Sequence, residues 1–545
     1  MPVRMEAEGL GEGEELWKKY CSFFDKPFSE QVEYNERKLK EYFKRWKQTK
    51  MAKQLCPKGV RRFKDVPLTT YDDYPILHEF GKRIEKLEKT VPRKKGELLW
   101  NYYGRIGTHA ATILDGWLLH DYSFCVRSGG TTTGNSKWIP YGTPAKQMFL
   151  FDIMRPIILS CSENWGKTSI KPGDNILNVV APIPYVAGYA WKFLESEFSI
   201  IPPFEIVDNI NSVMKKSRII LKMLQNKKVY WLGGAASFIK LLYDYFMNPQ
   251  ELYRGYYQST DLGLTKFILY LIWLKSRISG KKYENIREIL PLKGIMIGGM
   301  GTQPYLDFIK SSYGLEPFIL YGSAEGISMM GFPTRKMGLH PVLDWRYFEF
   351  LDKNNEVKKI DEVKKDEVYE VIGTVFNSTL IRYCVGDLLK VVDTQDDGMP
   401  IFEFESRKST VLDVYGWFRL TEAIAEKALS RAGLKLSDNW AISKEAEPRE
   451  RLLVLMEKDW EYSEEKASKK LFSALRELDP HFNNYVEDFK IKKPSEVIEV
   501  RYLKKGAFRK YAQEMGKEGK PLTHYKPSRV ITPEKHEVAK ILMEM

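Results

Sequence analysis

Ser128-Gly129-Gly130-Thr131-Thr132-Thr133-Gly134-Asn135-Ser136-Lys137 places three glycines, five hydroxyls and a lysine in ten residues. Glycines let the backbone turn with positive φ and approach a ligand closely. Successive amide N–H groups in such a turn make an anion-binding nest, to which hydroxyls add donors. A lysine adds a mobile point charge suited to phosphate. Ser123-Phe124-Cys125-Val126 before the stretch and Trp138-Ile139-Pro140-Tyr141 after it read as short strands. A glycine loop between strands is not the strand-to-helix setting of a dinucleotide fingerprint, and G-x-G-x-x-G is absent. Gly129 and Gly134 have P-loop separation, but Asn135-Ser136 stand where that motif needs Lys-Ser/Thr. The same residues would also serve a polar hairpin loop.

Outward from the loop, strands ending in glycine alternate with helices. Ala145–Leu159 reads as an amphipathic helix and 175–181 as a buried strand. Residues 210–225, 236–246 and 266–279 read as helices, with Val229–Gly234 and Gly294–Gly299 as strand-then-turn units. This alternation predicts an α/β fold with largely parallel pairing. Residues 12–65, rich in charged and aromatic side chains, read as helices that include Leu16, Tyr20 and Phe24 at helical spacing. His109, Asp115 and His120 fit no metal spacing and read as packing or surface residues.

Further stretches along the chain carry polar groups. Gly298-Gly299-Met300 is followed some twenty residues later by Tyr321-Gly322-Ser323-Ala324-Glu325-Gly326. Arg382-Tyr383-Cys384-Val385-Gly386-Asp387 reads, taken alone, as a hairpin with a Gly-Asp turn. Phe404–Val414 contains Ser406-Arg407, and the C-terminal region carries Gly519-Lys520-Pro521-Leu522-Thr523-His524-Tyr525-Lys526-Pro527-Ser528-Arg529. In this order and at these separations, the stretches resemble the motifs of the acyl-adenylate-forming superfamily. The closest resemblance is to the plant Gretchen Hagen branch of acyl acid–amido synthetases. The match departs at Ala324, where a Thr or Ser is usual, at Ser406, where a glycine is usual, and at Pro527, one place early.

The resemblance implies ATP-dependent activation of a carboxylic acid to an acyl-adenylate, with release of pyrophosphate. Transfer to an amino acid amine then follows, or to the CoA thiol in acyl-CoA ligases; a non-catalytic nucleotide-binding protein is the alternative of a different class. It implies ATP and Mg²⁺ as cofactors. The nucleotide would be held by Ser128, Gly129, Gly130, Thr131, Thr132, Thr133, Gly134, Lys137, Gly298, Gly299, Met300, Tyr321, Gly322, Ser323, Asp387 and Arg407. Glu325 would hold the metal, a hard oxygen ligand beside phosphate oxygens, and Lys526 would be the catalytic lysine, with Lys504, Lys505 and Lys520 as other choices. The acyl pocket is expected among residues 182–188, 233–238 and 331–340, near Tyr185, Tyr189, Trp191 and Phe332; these aromatics serve a core equally well. A large adenylating domain over 1–412, with a helical lead-in over 1–100, would precede a small mobile α+β domain over 413–545.

Composition narrows the classes. The 545 residues carry a net charge of +13, a modest excess that favours anionic ligands. No arginine-rich arm or repeated basic–aromatic element accompanies it, which argues against nucleic acid. Five scattered cysteines, an odd number without C-x-x-C, argue against zinc sites and a disulfide framework. Met1–Glu6 contain no apolar segment of a signal peptide, and Phe267–Leu274 is too short to span a bilayer. A cytoplasmic, reduced setting is expected.

Overall fold

The computed structural model describes residues 11–545 apart from 129–136, 179–181, 209–218, 221, 225, 235, 248–283, 299–302, 408–411, 415–417, 435–438, 446–450, 458–461, 489–490, 517–528 and 532–535. Strands β1 (Tyr122–Arg127) and β2 (Trp138–Gly142) form an antiparallel pair in which Arg127 faces Trp138. Ser128 N–H donates to the Lys137 carbonyl (2.8 Å), and Lys137 N–H donates to Ser128 Oγ (2.9 Å). The glycine loop therefore rises from a closed base; Gly129–Ser136 lie outside the described residues.

Strands β3 (Asn175–Leu177), β4 (Ser199–Ile201), β5 (Trp231–Gly234), β6 (Gly294–Gly298) and β7 (Phe318–Gly322) pair in parallel in the order β4-β3-β5-β6-β7. Side chains alternate across a sheet, and the apolar pairs divide accordingly. Ile176, Ile200, Trp231 and Met296 join one core with the helix Ala145–Ser160. Leu177, Ile201, Leu232, Ile295 and Ile297 join another with the helices Ala236–Met247 and Gln303–Tyr313. Both faces are thus covered, as parallel strands require. The helix Ala145–Ser160 is less two-sided than its sequence pattern predicts. Residues Ile153 to Ser160 are all buried, and the only charged side chain among them, Arg155, pairs with Asp344 at 2.5 Å.

Parallel pairing stops at β7. Strands β8 (Ser328–Phe332), β9 (Arg335–Pro341), β10 (Arg346–Leu351), β11 (Val357–Lys359), β12 (Val368–Val375), β13 (Tyr383–Thr394) and β14 (Pro400–Arg407) continue the same twelve-stranded sheet with antiparallel neighbours. The α/β class holds, while parallel pairing is confined to the strand–helix repeats; the strands from β8 to β14 follow one another without crossover helices and pair with their sheet neighbours antiparallel.

In the lead-in, Leu16 and Tyr20 share the helix Glu12–Tyr20, whereas Phe24 belongs to the following 3₁₀ turn, Ser22–Asp25. The helix Phe28–Trp46 buries Leu39, Tyr42, Phe43 and Trp46 against Val66, Tyr347 and Ile381. His109 and Asp115 are exposed, and His120 lies beside Arg45. Beyond β14, β15 (Leu412–Val414) and β16 (Phe418–Leu420) form a hairpin. Strands β17 (Trp440–Glu445), β18 (Arg451–Glu457), β19 (Ile498–Leu503) and β20 (Val530–Ile531) form a separate sheet in the order β19-β18-β17-β20. Its two faces bury clusters drawn only from residue 412 onward, one of them packed by the helix Glu464–Leu478 through Ala467, Leu471 and Leu475.

Candidate active site

The carboxyl ends of β6 and β7 reach Gly298 and Gly322, and the turn Ser323–Gly326 follows. Ligands in open α/β sheets bind at such ends. Three contacts set the turn. Ser323 N–H donates to the Ile327 carbonyl (2.9 Å), the Tyr141 hydroxyl to the Ala324 carbonyl (2.8 Å), and the Arg346 Nε–H to the Gly326 carbonyl (2.8 Å). Arg346 is fully buried and its other arm meets Asp152. Gly326 has φ +90°, and a Cβ there would lie 2.9 Å from the Tyr141 hydroxyl oxygen. These constraints bury Glu325, between Ala324 and Gly326, to 7% exposure.

Lys137, at the loop's end, reaches the same place. Its Nζ donates to the Tyr383 hydroxyl (3.0 Å) and lies 3.6 Å from Glu325 Oε1; the Tyr383 hydroxyl donates to Glu325 Oε1 (3.2 Å). The ammonium also lies 5.6 Å from the ring centres of both Tyr71 and Tyr383. Burial, then the Glu325 charge, raises the Tyr383 phenol far above its ordinary range, and burial pushes Tyr71 up to about 12. Both tyrosines are neutral donors at physiological pH.

A second pair joins β7 to β13. The Tyr321 hydroxyl donates to Asp387 Oδ2 (2.8 Å), and its ring stacks beside Phe404. Asp387 is 2% exposed. It is not in a turn between strands, as its sequence suggests, but inside β13. Across the β12–β13 pairing, Glu370 faces Leu388 and Ile372 faces Cys384, so Val385, Gly386 and Asp387 stand against the single residue Val371. Gly386 adopts φ +80°, the left-handed conformation such a bulge favours. Arg407 faces Asp387 across β13–β14; the side chains of Ser406 and Arg407 lie outside the described set.

The expected residues thus fall into three groups. Ser128, Lys137 and Glu325 belong to the arrangement around Tyr383, or to its base, while Tyr321 and Asp387 form the second pair. Gly298, Gly322 and Ser323 flank both, and the Ser323 hydroxyl oxygen accepts the Ile327 N–H (3.3 Å). Ala324 contributes a carbonyl where the motif has a hydroxyl. Gly129 to Gly134, Gly299, Met300, Lys520 and Lys526 lie outside the described residues. Lys504 and Lys505 are exposed after β19. Three of the four aromatics of the expected acyl pocket join the core: Tyr189 packs on Phe124 and Trp100, Trp191 on Trp231, and Phe332 between Phe24 and His340. Sequence reading missed Tyr71 and Tyr383. Tyr383 stands in the stretch Arg382–Asp387, but nothing local shows that either hydroxyl faces inward. Among the described residues, no group of three or more His, Cys, Asp or Glu could hold a metal, and no helix is long and apolar enough to cross a membrane. None of the described cysteines forms a disulfide.

Residues 340–407, which run from β9 to the end of β14 and contain Asp387, match the model of the GH3 family central domain. The fold matches AtGH3.15 acyl acid amido synthetase in complex with 2,4-DB at a TM-score of 0.69, over 99% of this chain and 97% of that one, at 18% identity. This is the fold of the acyl acid amido synthetases. It extends to 2-hydroxyisobutyryl-CoA ligase in the postadenylation state, at a TM-score of 0.52 and 13% identity over 95% of this chain and 93% of that one. In sequence, a jasmonoyl–L-amino acid synthetase of Nicotiana attenuata, JAR6, is 27% identical over 289 residues, 48% of either chain. The matched region spans about half the length of the curated relatives. The resemblance to the Gretchen Hagen branch read from the motifs is borne out by the central-domain match and the amido synthetase fold.

Proposed function

We propose that the protein activates a carboxylic acid with ATP as an acyl-adenylate and transfers the acyl group to the amine of an amino acid. The observation that carries this reading is the convergence of Lys137, Glu325 and Tyr383 within 3.6 Å of one another, beside the Tyr321–Asp387 pair, at the carboxyl ends of the parallel strands. One group is cationic and suited to phosphate, and another is an anion suited to a hard cation. A third, Asp387, is a buried carboxylate able to accept ribose hydroxyls by charge-assisted bonds. Adenylation requires all three. Similarity to jasmonoyl–amino acid synthetases and to an acyl acid amido synthetase fold supports the acid and the amine acceptor.

In this reading the acid's carboxylate oxygen attacks the α-phosphorus, the bond to the bridging oxygen breaks, and pyrophosphate leaves with those electrons. The acceptor's neutral amine then attacks the acyl carbon, AMP leaves with the anhydride electrons, and the amine loses a proton. Lys137 and the glycine loop would orient the phosphates, and in-line positioning supplies much of the acceleration in phosphoryl and nucleotidyl chemistry. Glu325 fits a Mg²⁺ ion held by one carboxylate together with phosphate oxygens, the usual composition of such sites; the bound ion would supply neutralisation of phosphate charge. The unit from residue 413 onward would be the mobile domain that brings Lys526 to the phosphate and withdraws it for transfer.

Acid-dependent ATP–pyrophosphate exchange over a panel of carboxylic acids tests the first half-reaction without requiring the acceptor. Exchange stimulated by at least one acid is expected. Its absence across aromatic, aliphatic and cyclopentanone acids, in protein shown to bind ATP, would favour a nucleotide-binding protein without turnover. Conjugate formation with amino acids rather than with CoA then identifies the acceptor.

A further inference from the structure

Tyr383 lies in neither the glycine loop nor the Tyr321–Gly326 turn, yet its hydroxyl is the atom that joins them. It accepts from Lys137 Nζ and donates to Glu325 Oε1. The ring is held from both sides of its own backbone. Thr69 N–H donates to the Arg382 carbonyl (3.0 Å), and Cys384 N–H donates to the Thr69 carbonyl (2.8 Å). Arg382 has φ +45°, uncommon for a long side chain, and is kept there by two bonds to Glu349 (2.9 and 3.0 Å) and by the Lys64 and Val66 carbonyls. A position so over-determined, with backbone in a sparse region, marks a place where geometry matters.

We propose that Tyr383 is a positioning residue that keeps the phosphate-loop lysine and the metal-binding carboxylate apart, so that each remains available to its own ligand. The inference rests on the adenylating reading of the site. Lys137 Nζ and Glu325 Oε1 already form a loose ion pair at 3.6 Å, beyond hydrogen-bond distance and able to close to direct contact. The Tyr383 hydroxyl, 3.0 Å from the ammonium and 3.2 Å from the carboxylate oxygen, takes one of the three ammonium protons and one carboxylate lone pair. Two ammonium protons stay free for phosphate oxygens, and the remaining carboxylate lone pairs stay free for a cation. The Tyr71 ring, 5.6 Å from the ammonium, adds a cation–π contact that limits its movement. Removing only the Tyr383 oxygen lets the loose pair close to direct contact, and ATP must then break that tighter pair to bind.

The test is a double-mutant cycle read by calorimetric ATP affinity in magnesium, with no acid present so that nothing turns over. Tyr383→Phe keeps the ring, and an unchanged melting temperature shows that packing is intact. In the wild-type background it should weaken ATP by about tenfold, the scale of a hydrogen bond to a charged group. In the Lys137→Met background, with no ammonium to collapse, it should weaken ATP by less than about twofold, because interaction free energy disappears once one partner is gone. A parallel cycle with Glu325→Gln should show the same coupling. A purely structural tyrosine would give equal losses in both backgrounds, and that result, or no loss in either, overturns the proposal. Wild-type protein that binds no ATP would overturn the adenylating reading itself. ATP binding with intact exchange but no coupling would overturn only the role of Tyr383.

Discussion

At the scale of single residues, Asp387 and His340 give opposite kinds of expectation. Asp387 accepts a hydrogen bond from Tyr321 and faces Arg407 across the strand pair. If it holds ribose hydroxyls, Asp387→Ala should weaken AMP by about 1.5–3 kcal/mol, roughly tenfold to a hundredfold; unchanged calorimetric affinity in folded protein would remove it from the site. Glu325→Gln should depress pyrophosphate exchange more than it weakens metal-free AMP binding, because it removes charge while keeping shape. Equal losses would make Glu325 a wall of the pocket. His340 concerns stability instead. It is stacked on Phe332 with ring centroids 4.1 Å apart, and burial, with Arg335 nearby, lowers its pKa to about 4. The unfolded chain therefore binds a proton first as pH falls. The stabilisation is complete above about pH 6.5 and is lost as pH falls from there toward about 4. Between about pH 7 and about pH 5 the loss from this group is about 2 kcal/mol. Urea midpoints at the two pH values should draw closer in His340→Phe than in wild type; an identical gap would mean that His340 does not titrate on unfolding.

At the scale of elements, the decisive unit is the approach to β13. The helix Phe28–Trp46 packs on Ile381, the segment 64–74 hydrogen-bonds Ile381, Arg382 and Cys384, and Glu349 of β10 holds the Arg382 guanidinium. Arg382 and Glu349 are both nearly completely buried. Removing one partner of a buried, hydrogen-bonded ion pair leaves an uncompensated charge, so Glu349→Ala should destabilise the large unit by about 3–5 kcal/mol. Denaturant unfolding followed by tryptophan fluorescence would show it, and a loss below about 1 kcal/mol would mean that solvent reaches Arg382. This element also shows why a local reading fails. Gly386-Asp387 is as good a turn pair as any in the chain. Whether it closes a hairpin or bulges a continuous strand depends on whether a neighbour continues past it, and β12 does. The strand–loop–strand around Ser128–Lys137 needed no distant partner, and there β1 and β2 lie where the flanking apolar runs place them.

At the scale of the molecule, the apolar clusters beyond residue 412 share no member with those of the body. If that unit delivers Lys526, then Lys526→Ala in the full chain should depress pyrophosphate exchange far more than AMP affinity, because a contact made mainly in the transition state affects rate more than ground-state binding. Equal effects would assign Lys526 to nucleotide binding alone. By itself the sequence determined the α/β class, the glycine loop between two strands, the family resemblance, and Lys137, Glu325 and Asp387 as charges worth placing. Those features are written in short-range patterns: period-two apolar runs, glycine at strand ends, and motif spacing. The tertiary structure alone decided that parallel pairing ends at β7 and that Asp387 sits on a bulge. It also decided that Tyr189, Trp191 and Phe332 join the core, and that Tyr71 and Tyr383, more than 300 residues apart, both approach one lysine. Hydroxyl direction and strand neighbours are set by which distant surfaces exclude water together, and no local pattern of residues encodes that.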